Sequence, residues 1–266
     1  MKKFLLSTIC LTVLVFASCD PNVKSNYKAE AFSVSSSKQV YFSPGNLQYH
    51  PANNKWRFAE SQLDYIGNAN GNISSTYNGW IDLFGWSASV SNFGVTSIGD
   101  YSGSFVDWGT NKIGNDAPNI WRTLTSDEWN YLSNGRPNAS SLCGVAQVNG
   151  VNGLIFLPDN WTCPEGVTFK SGFLSNYDAE SGDYEGYQTI IAEQWSKLAA
   201  RGAIFLPAAG YRHGSVVGGV LDYGSYWSAS EDRSYGAYFL SFDSGGSGMG
   251  GDDRYVGESV RLVKDL

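Results

Sequence analysis

The 266-residue chain is poor in the side chains that bind transition metals, nucleic acids and membranes. It has two histidines, His50 and His213, and no Cys-x-x-Cys pair, so the usual zinc ligand sets are missing. Lysine and arginine number 18 against 25 acidic residues, and no basic cluster occurs. A net charge of −7 disfavours nucleic acid and anionic membrane surfaces as partners. The apolar stretch from Phe4 to Phe16 falls short of the roughly 20 residues a membrane-spanning helix needs. Charged residues of both signs make up only 16% of the chain. What is abundant instead is glycine (31) and aromatic side chains (9 Trp, 16 Tyr, 14 Phe). That mixture suits a loop-rich fold pinned by large rings rather than a helical bundle.

Residues 1–18 read as an export signal. Lys2 and Lys3 form its charged start, the Phe4–Phe16 stretch its apolar centre, and Phe16-Ala17-Ser18-Cys19 resembles a lipobox. Cleavage there makes Cys19 the lipidated N-terminus, with residues 19–31 as a flexible polar tether. A single domain is expected over 32–266, with no internal boundary.

Within it, Gln39–Phe42 is strand-like, and Ser43-Pro44-Gly45-Asn46 is a turn in which Pro presets φ. Leu47–Tyr49 and Lys55–Phe58 form a hairpin. Residues 67–114 are rich in Asn, Gly and Ser, yet Trp80, Phe84, Trp86, Phe93, Phe105 and Trp108 punctuate them. An ordered long loop is expected there, since disordered tracts lack such rings. Thr125 and Glu128 have capping-box spacing, which starts a helix carrying Trp129 and Leu132. Asn149-Gly150 is a hairpin turn signal. Two similar segments, Gly153–Pro158 and Gly202–Pro207, read as buried strands stopped by Pro. A second helix is expected over 189–201, with Ile191, Trp195 and Leu198 on one side and Gly202 as its C-terminal cap. Trp80, Trp86, Trp121, Trp129 and Trp195 are assigned to the core.

The C-terminal forty residues carry the strongest pattern. Tyr226-Trp227-Ser228-Ala229-Ser230 and Ser259-Val260-Arg261-Leu262-Val263 bracket a softer middle. Alternation over Ala237–Phe242 places Tyr238, Leu240 and Phe242 on a core face, with Phe239, Ser241 and Asp243 facing outward. The Gly-, Ser- and Asp-rich stretch from Ser244 to Asp253 cannot pack a core of its own.

These two brackets, Ala-Tyr-Phe-Leu-Ser-Phe between them, and the Phe42-Ser-Pro-Gly-Asn-Leu-Gln-Tyr49 run resemble a family of bacterial surface lipoproteins with a C-type-lectin-like fold. Some members are variable proteins of diversity-generating retroelements. The resemblance implies an α+β domain of two helices with antiparallel sheets and long ordered loops. It implies a lipid-anchored outer-membrane protein on the cell surface that binds a protein or glycan ligand on another cell or on a phage. The ligand positions it implies are Asp232, Arg233, Tyr235, Gly236, Phe239, Ser241, Asp243, Asp252, Asp253 and Tyr255.

Other chemistries fit poorly. Gly246–Gly251 matches Gly-x-Gly-x-x-Gly, but no helix follows and Asp252-Asp253 repels phosphate, so no nucleotide cofactor is expected. The Glu-Pro-Asn and Trp-Asn-Asp calcium motifs of lectins are absent. Asp243, Asp252 and Asp253 are hard oxygen ligands of the kind calcium takes, but no metal is assigned. The sulfatase-modifying enzymes of this fold use C-terminal cysteines, and none follows Cys163 here. A carbohydrate-active or other hydrolytic enzyme remains the alternative, with no carboxylate pair selected by spacing. A structural or fimbrial subunit lacks its long apolar donor strand. Cys143 and Cys163 flank the 145–158 hairpin and are either an oxidised pair or two buried thiols.

Overall fold

The structure is a computed structural model and describes residues 27–88, 104–173 and 188–266. The export signal, Cys19, most of the tether and Phe93 lie outside the described residues. The chain is a mixed α+β fold with two α-helices and several small, mostly antiparallel sheets among the described residues.

In chain order the strands begin with β1 (Phe32–Ser33), β2 (Gln39–Phe42), β3 (Leu47–His50) and β4 (Lys55–Phe58). Helix α1 (Ser126–Asn130) follows, then β5 (Cys143–Val148), β6 (Val151–Phe156) and β7 (Gln188–Ile190). Helix α2 (Ala192–Ala199) precedes β8 (Ile204–Pro207), β9 (Tyr211–His213) and β10 (Val216–Gly218). The chain closes with β11 (Gly224–Arg233), β12 (Gly236–Phe242), β13 (Ser247–Asp253) and β14 (Val263–Asp265).

Two sheets set the architecture, the first covered on both faces and the second covered on both over its inner part. The first runs β7-β5-β6-β8. Asn149 and Gly150 both take positive φ (48° and 83°) at its β5–β6 turn, as a two-residue hairpin loop requires. The two similar segments are neighbours in it, β8 forming the edge: β6 and β8 run antiparallel, with Leu154 opposite Leu206 and Ile155 opposite Phe205. One face of this sheet packs Ala146, Val148, Ile155 and Phe205 against Trp195 and Leu198 of α2. The other face sends Val145, Leu154, Phe156, Ile204 and Leu206 into a central core. That core also receives Phe32, Phe42, Trp129, Tyr226, Leu240 and Phe242, so it lies between the first sheet and the second, β11-β12-β13. The far face of the second sheet, with Trp227, Ala237 and Phe239, is roofed by Leu47, Phe84, Trp86 and Trp108. Each such side chain contributes about 1.5–3 kcal/mol by leaving water.

The capping box at Thr125 forms: its hydroxyl accepts from Glu128 N at 3.2 Å, and the Glu128 carboxylate accepts from Thr125 N at 2.9 Å. The helix lasts only to Asn130, then widens into a π turn at Tyr131–Gly135. The second helix is shorter than the 189–201 expected. Gln188–Ile190 instead pair in parallel with β5, and the Gln188 side chain donates to Lys170 O at 2.6 Å while accepting from Lys170 N at 2.8 Å. Ile191 lies at the helix start and is 55% exposed, so it does not join Trp195 and Leu198. Gly202 closes the helix with φ 87°. The last tether residues are packed rather than free: Tyr27 OH donates to Phe42 O at 3.0 Å.

Four of the five tryptophans assigned to the core are buried, whereas Trp80 is half-buried beneath the Arg57 guanidinium, 3.9 Å from its ring centroid. No disulfide joins Cys143 and Cys163. Cys143 is buried in the central core, while Cys163 is exposed, with its Sγ bonded to Val167 O at 3.2 Å. The hairpin between them brings the strands together but directs the two thiols to different environments. Site-resolved labelling of the native protein is therefore expected to modify Cys163 at once and Cys143 only after unfolding; a Cys143–Cys163 peptide in a non-reducing digest would contradict this.

Candidate functional site

The two brackets form a buried base for the second sheet. Tyr226, Trp227 and Ser228 have no exposed surface, nor do Ser259–Val263. Residues 258–260 run alongside β11, with Trp227 N donating to Ser259 O at 3.0 Å. Arg261 is fully buried and donates to Asn46 Oδ1 at 3.2 Å and Gln62 Oε1 at 2.7 Å. Asn46 Nδ2 donates to Tyr226 OH, which donates in turn to Pro207 O at 2.9 Å. The Ser-Pro-Gly-Asn turn, β8 and both brackets are thus bonded through a single polar knot. Burial pushes the Tyr226 phenol well above its ordinary range and lowers Arg261 to about 10, so both keep their protons at neutral pH.

On this base the expected ligand positions divide between two faces. The first group sits at the β11–β12 turn. Asp232 accepts from Arg233 Nε at 2.8 Å, and the Arg233 guanidinium lies 5.4 Å from the Tyr235 ring. Arg233 and Tyr235 are exposed, and Asp232 is half-buried. Tyr238, expected in the core, is instead half-exposed on this face. A hydrogen bond with Asp232 raises its pKa first, followed by that carboxylate's charge. The Asp232 side chain crosses Gly251, where any Cβ would stand 2.5 Å from Oδ2. Gly236 is buried as the first residue of β12, opposite Asp253, and is not a contact surface. Behind the turn, buried Arg254 donates to Gly236 O (3.1 Å) and Arg233 O (3.0 Å) and stacks 4.4 Å from Trp86.

Phe239 does not belong to any exposed face. It is 7% exposed and meets Trp227 edge-on at 6.0 Å. The alternation along β12 is real, but both of its faces are covered over the inner half, so periodicity separates two cores rather than core from solvent.

The second group lies on Phe239's side of the sheet, toward the β12–β13 turn. Ser241 and Asp243 line a shallow groove with Tyr223 and Gly245–Gly248. The glycine-rich stretch forms strand β13, which the sequence pattern did not suggest. It pairs with all of β12, from Gly236 opposite Asp253 to Phe242 opposite Ser247. Strand pairing uses only backbone groups, and Gly250 leaves room for the Phe239 ring, which a Cβ would approach to 2.8 Å. Asp252 stands opposite Ala237, at the other end of β12 from Asp243, so about 20 Å of strand separates their backbones. The three aspartates do not converge on one ion, and among the described residues no group of three or more His, Cys, Asp or Glu side chains is arranged to hold a metal. Asp253 borders this group through Tyr255: burial first, then Asp253 and Asp252, raise the Tyr255 pKa.

Several residues here were not singled out by sequence reasoning. Tyr223 hydrogen-bonds with Ser241; its pKa is raised by burial and further by Glu258, Asp252 and Asp243. Glu258 is 1% exposed, with Oε2 unpartnered, and burial reinforced by Asp252 drives its pKa well above the carboxylate range. Tyr211 and His213 on β9 continue the ring of aromatics: centroid distances are 6.2 Å for Tyr223–Tyr211, 5.6 Å for Tyr211–His213 and 6.0 Å for His213–Tyr255. The only signal available beforehand was composition, since these residues are distant in sequence and fall on separate elements.

No family model, no curated protein and no solved structure matches the chain. No helix among the described residues is long and apolar enough to cross a membrane.

Proposed function

We propose that this chain is a lipid-anchored, surface-exposed binding protein of C-type-lectin-like build, held by Cys19. Its ligand would contact the outer parts of β11–β13 rather than an enzymatic cleft. The observation that carries this reading is the contrast within single strands. Tyr226–Ser228 are fully buried, while Arg233 and Tyr235, a few residues on, are exposed. The exposed part spans Asp232, Arg233 and Tyr235 at the turn, and Ser241, Asp243, Asp252, Asp253 and Tyr255 on the groove side. Side chains there can change with little effect on the core, which suits a surface diversified by a retroelement. Tyr, Ser, Gly and Asp supply broad contact area and adaptable hydrogen bonds at low entropic cost.

The test pairs localisation with binding. Cys19→Ala is expected to release the protein from the membrane fraction. Tyr235→Ala and Asp243→Asn are expected to weaken capture of a partner found by a cell- or phage-surface screen, with melting nearly unchanged. Unchanged membrane partitioning of Cys19→Ala would refute the anchor, and a partner insensitive to both sheet variants would refute the site.

A further inference from the structure

The groove side has a chemical character that the turn lacks. Tyr223, Tyr211, His213 and Tyr255 form an arc in that order, each ring meeting the next nearly edge-on, at interplanar angles of 84°, 85° and 70°. Each edge-on contact covers a face of only one of the two rings, and the faces left uncovered are electron-rich. Tyr211 is 36% exposed. The acids Asp243 and Asp252 act on the Tyr223 hydroxyl from the two ends of β12, and neither accepts from a lysine or arginine in any ion pair among the described residues. The wall between them is nearly bare: a Cβ at Gly248 or Gly246 would meet nothing within 4 Å.

A second observation points into this place independently. Glu258 is buried beside Asp252 and Tyr223, and its Oε2 finds no hydrogen-bond partner among the described residues. A buried carboxyl left unsatisfied costs about 1–3 kcal/mol, and a donor arriving from outside would remove that cost. Arg212, beside Tyr211 in β9, donates through Nη1 and Nη2 to Gly214 O and Leu83 O. It is a buried structural group that does not neutralise the groove.

We infer that the groove beside the glycine strand binds a cationic segment of a partner protein, a lysine or arginine side chain lying against Tyr211 and Tyr223 and paired with Asp243. Ammonium and guanidinium groups combine attraction to aromatic faces with several N–H donors, which matches a site offering acceptors and no cation of its own. The chain's overall negative charge adds long-range attraction for such a partner. This assignment rests on the binding-protein reading above and specifies its ligand class.

The experiment titrates the protein with a labelled peptide alternating lysine and glycine, with its glutamate counterpart, and with a panel of neutral oligosaccharides. The lysine peptide is expected to bind and the glutamate peptide not to. Raising salt from about 50 to about 500 mM is expected to weaken binding by about tenfold, because the groove is open to screening ions. Asp243→Asn, an exposed substitution that leaves packing intact, should weaken it by about threefold or more. Tyr211→Ala should do so by about tenfold, and Glu193→Gln, a remote exposed acid on α2, should have no effect. Equal binding of the two peptides, no binding of either, or insensitivity to Asp243→Asn and Tyr211→Ala would overturn the inference. If an oligosaccharide binds instead and the same variants abolish it, the ligand class is wrong while the binding-protein reading stands. If a screened surface partner ignores both groove and turn variants, that reading itself fails.

Discussion

Phe239→Ala is expected to destabilise the domain by about 3–5 kcal/mol, the range for emptying a buried aromatic site. For a domain of this size that lowers the melting temperature by about 10 °C. The ring is 7% exposed, meets Trp227 edge-on and lies over the backbone of Gly250. Its removal opens a cavity bounded by strand backbone, which cannot collapse without breaking the β12–β13 ladder. Leu240→Ala, on the opposite face and fully buried, is expected to cost about 2–5 kcal/mol. Tyr235→Ala, on the exposed turn, should stay within about 0.5 kcal/mol. Calorimetry on the three variants checks the order. A Phe239→Ala protein as stable as Tyr235→Ala would mean that the ring is a surface residue and that the second core lacks this wall.

That comparison also marks where sequence pattern ends. Local rules that act through neighbouring residues were legible: the Thr125–Glu128 box, the Asn149-Gly150 turn, the Gly202 stop and the extent of the β3–β4 hairpin all follow from nearest-neighbour chemistry. The two Gly-x-Ile-Phe-Leu-Pro-like segments were legible as buried strands, although nothing in them said that they pair with each other. What failed depends on distant groups. Alternation in Ala237–Phe242 predicts one wet face, but Leu47, Phe84, Trp86 and Trp108, brought in from elsewhere, roof that face. A strand made of Ser, Gly and Asp has no apolar period to detect, and its pairing is visible only once β12 is in place. The ten ligand positions suffered from the same limit. Side chains that look contiguous along the chain point to opposite faces of the sheet, and the aromatic arc that runs on from the groove's Tyr223 comes from β9 and from the residue preceding β11.

Acidification from pH 7.5 to about 5 is expected to stabilise the fold, by about 1.4 kcal/mol from Asp82 alone. Asp82 is fully buried, and burial raises its pKa from 3.8 to about 6, even though it accepts from Ile66 N at 2.9 Å and Asn70 Nδ2 at 2.8 Å. A raised folded-state pKa means that the folded chain holds the proton more tightly than the unfolded chain. The resulting stability is complete below the unfolded value near 4 and is lost as pH climbs through 6; roughly two pKa units correspond to about 3 kcal/mol. Glu258 acts with the same sign, since burial and then Asp252 also drive its pKa upward. Glu128, Asp159 and Asp265 oppose this only at lower pH. Burial works against their ionisation, but bonds from Arg122 to Glu128 and Asp265, and from Ser33, Gln39 and Arg136 to Asp159, outweigh it and lower their pKa values. Their contribution is present above about pH 4 and lost below it. Arg212 and Arg261, lowered to about 10, stay charged across the whole interval and add no slope. Stability should therefore peak between the two sets, near pH 5. Denaturant titrations at several pH values test this through the slope, which matters here because Asp82→Asn also sets an amide against the Ile66 and Asn70 donors and lowers stability at every pH. Both Asp82→Asn and Glu258→Gln are expected to flatten the decline between pH 5 and 7.5. A wild-type profile that rises over that interval would show that neither carboxyl is buried as described.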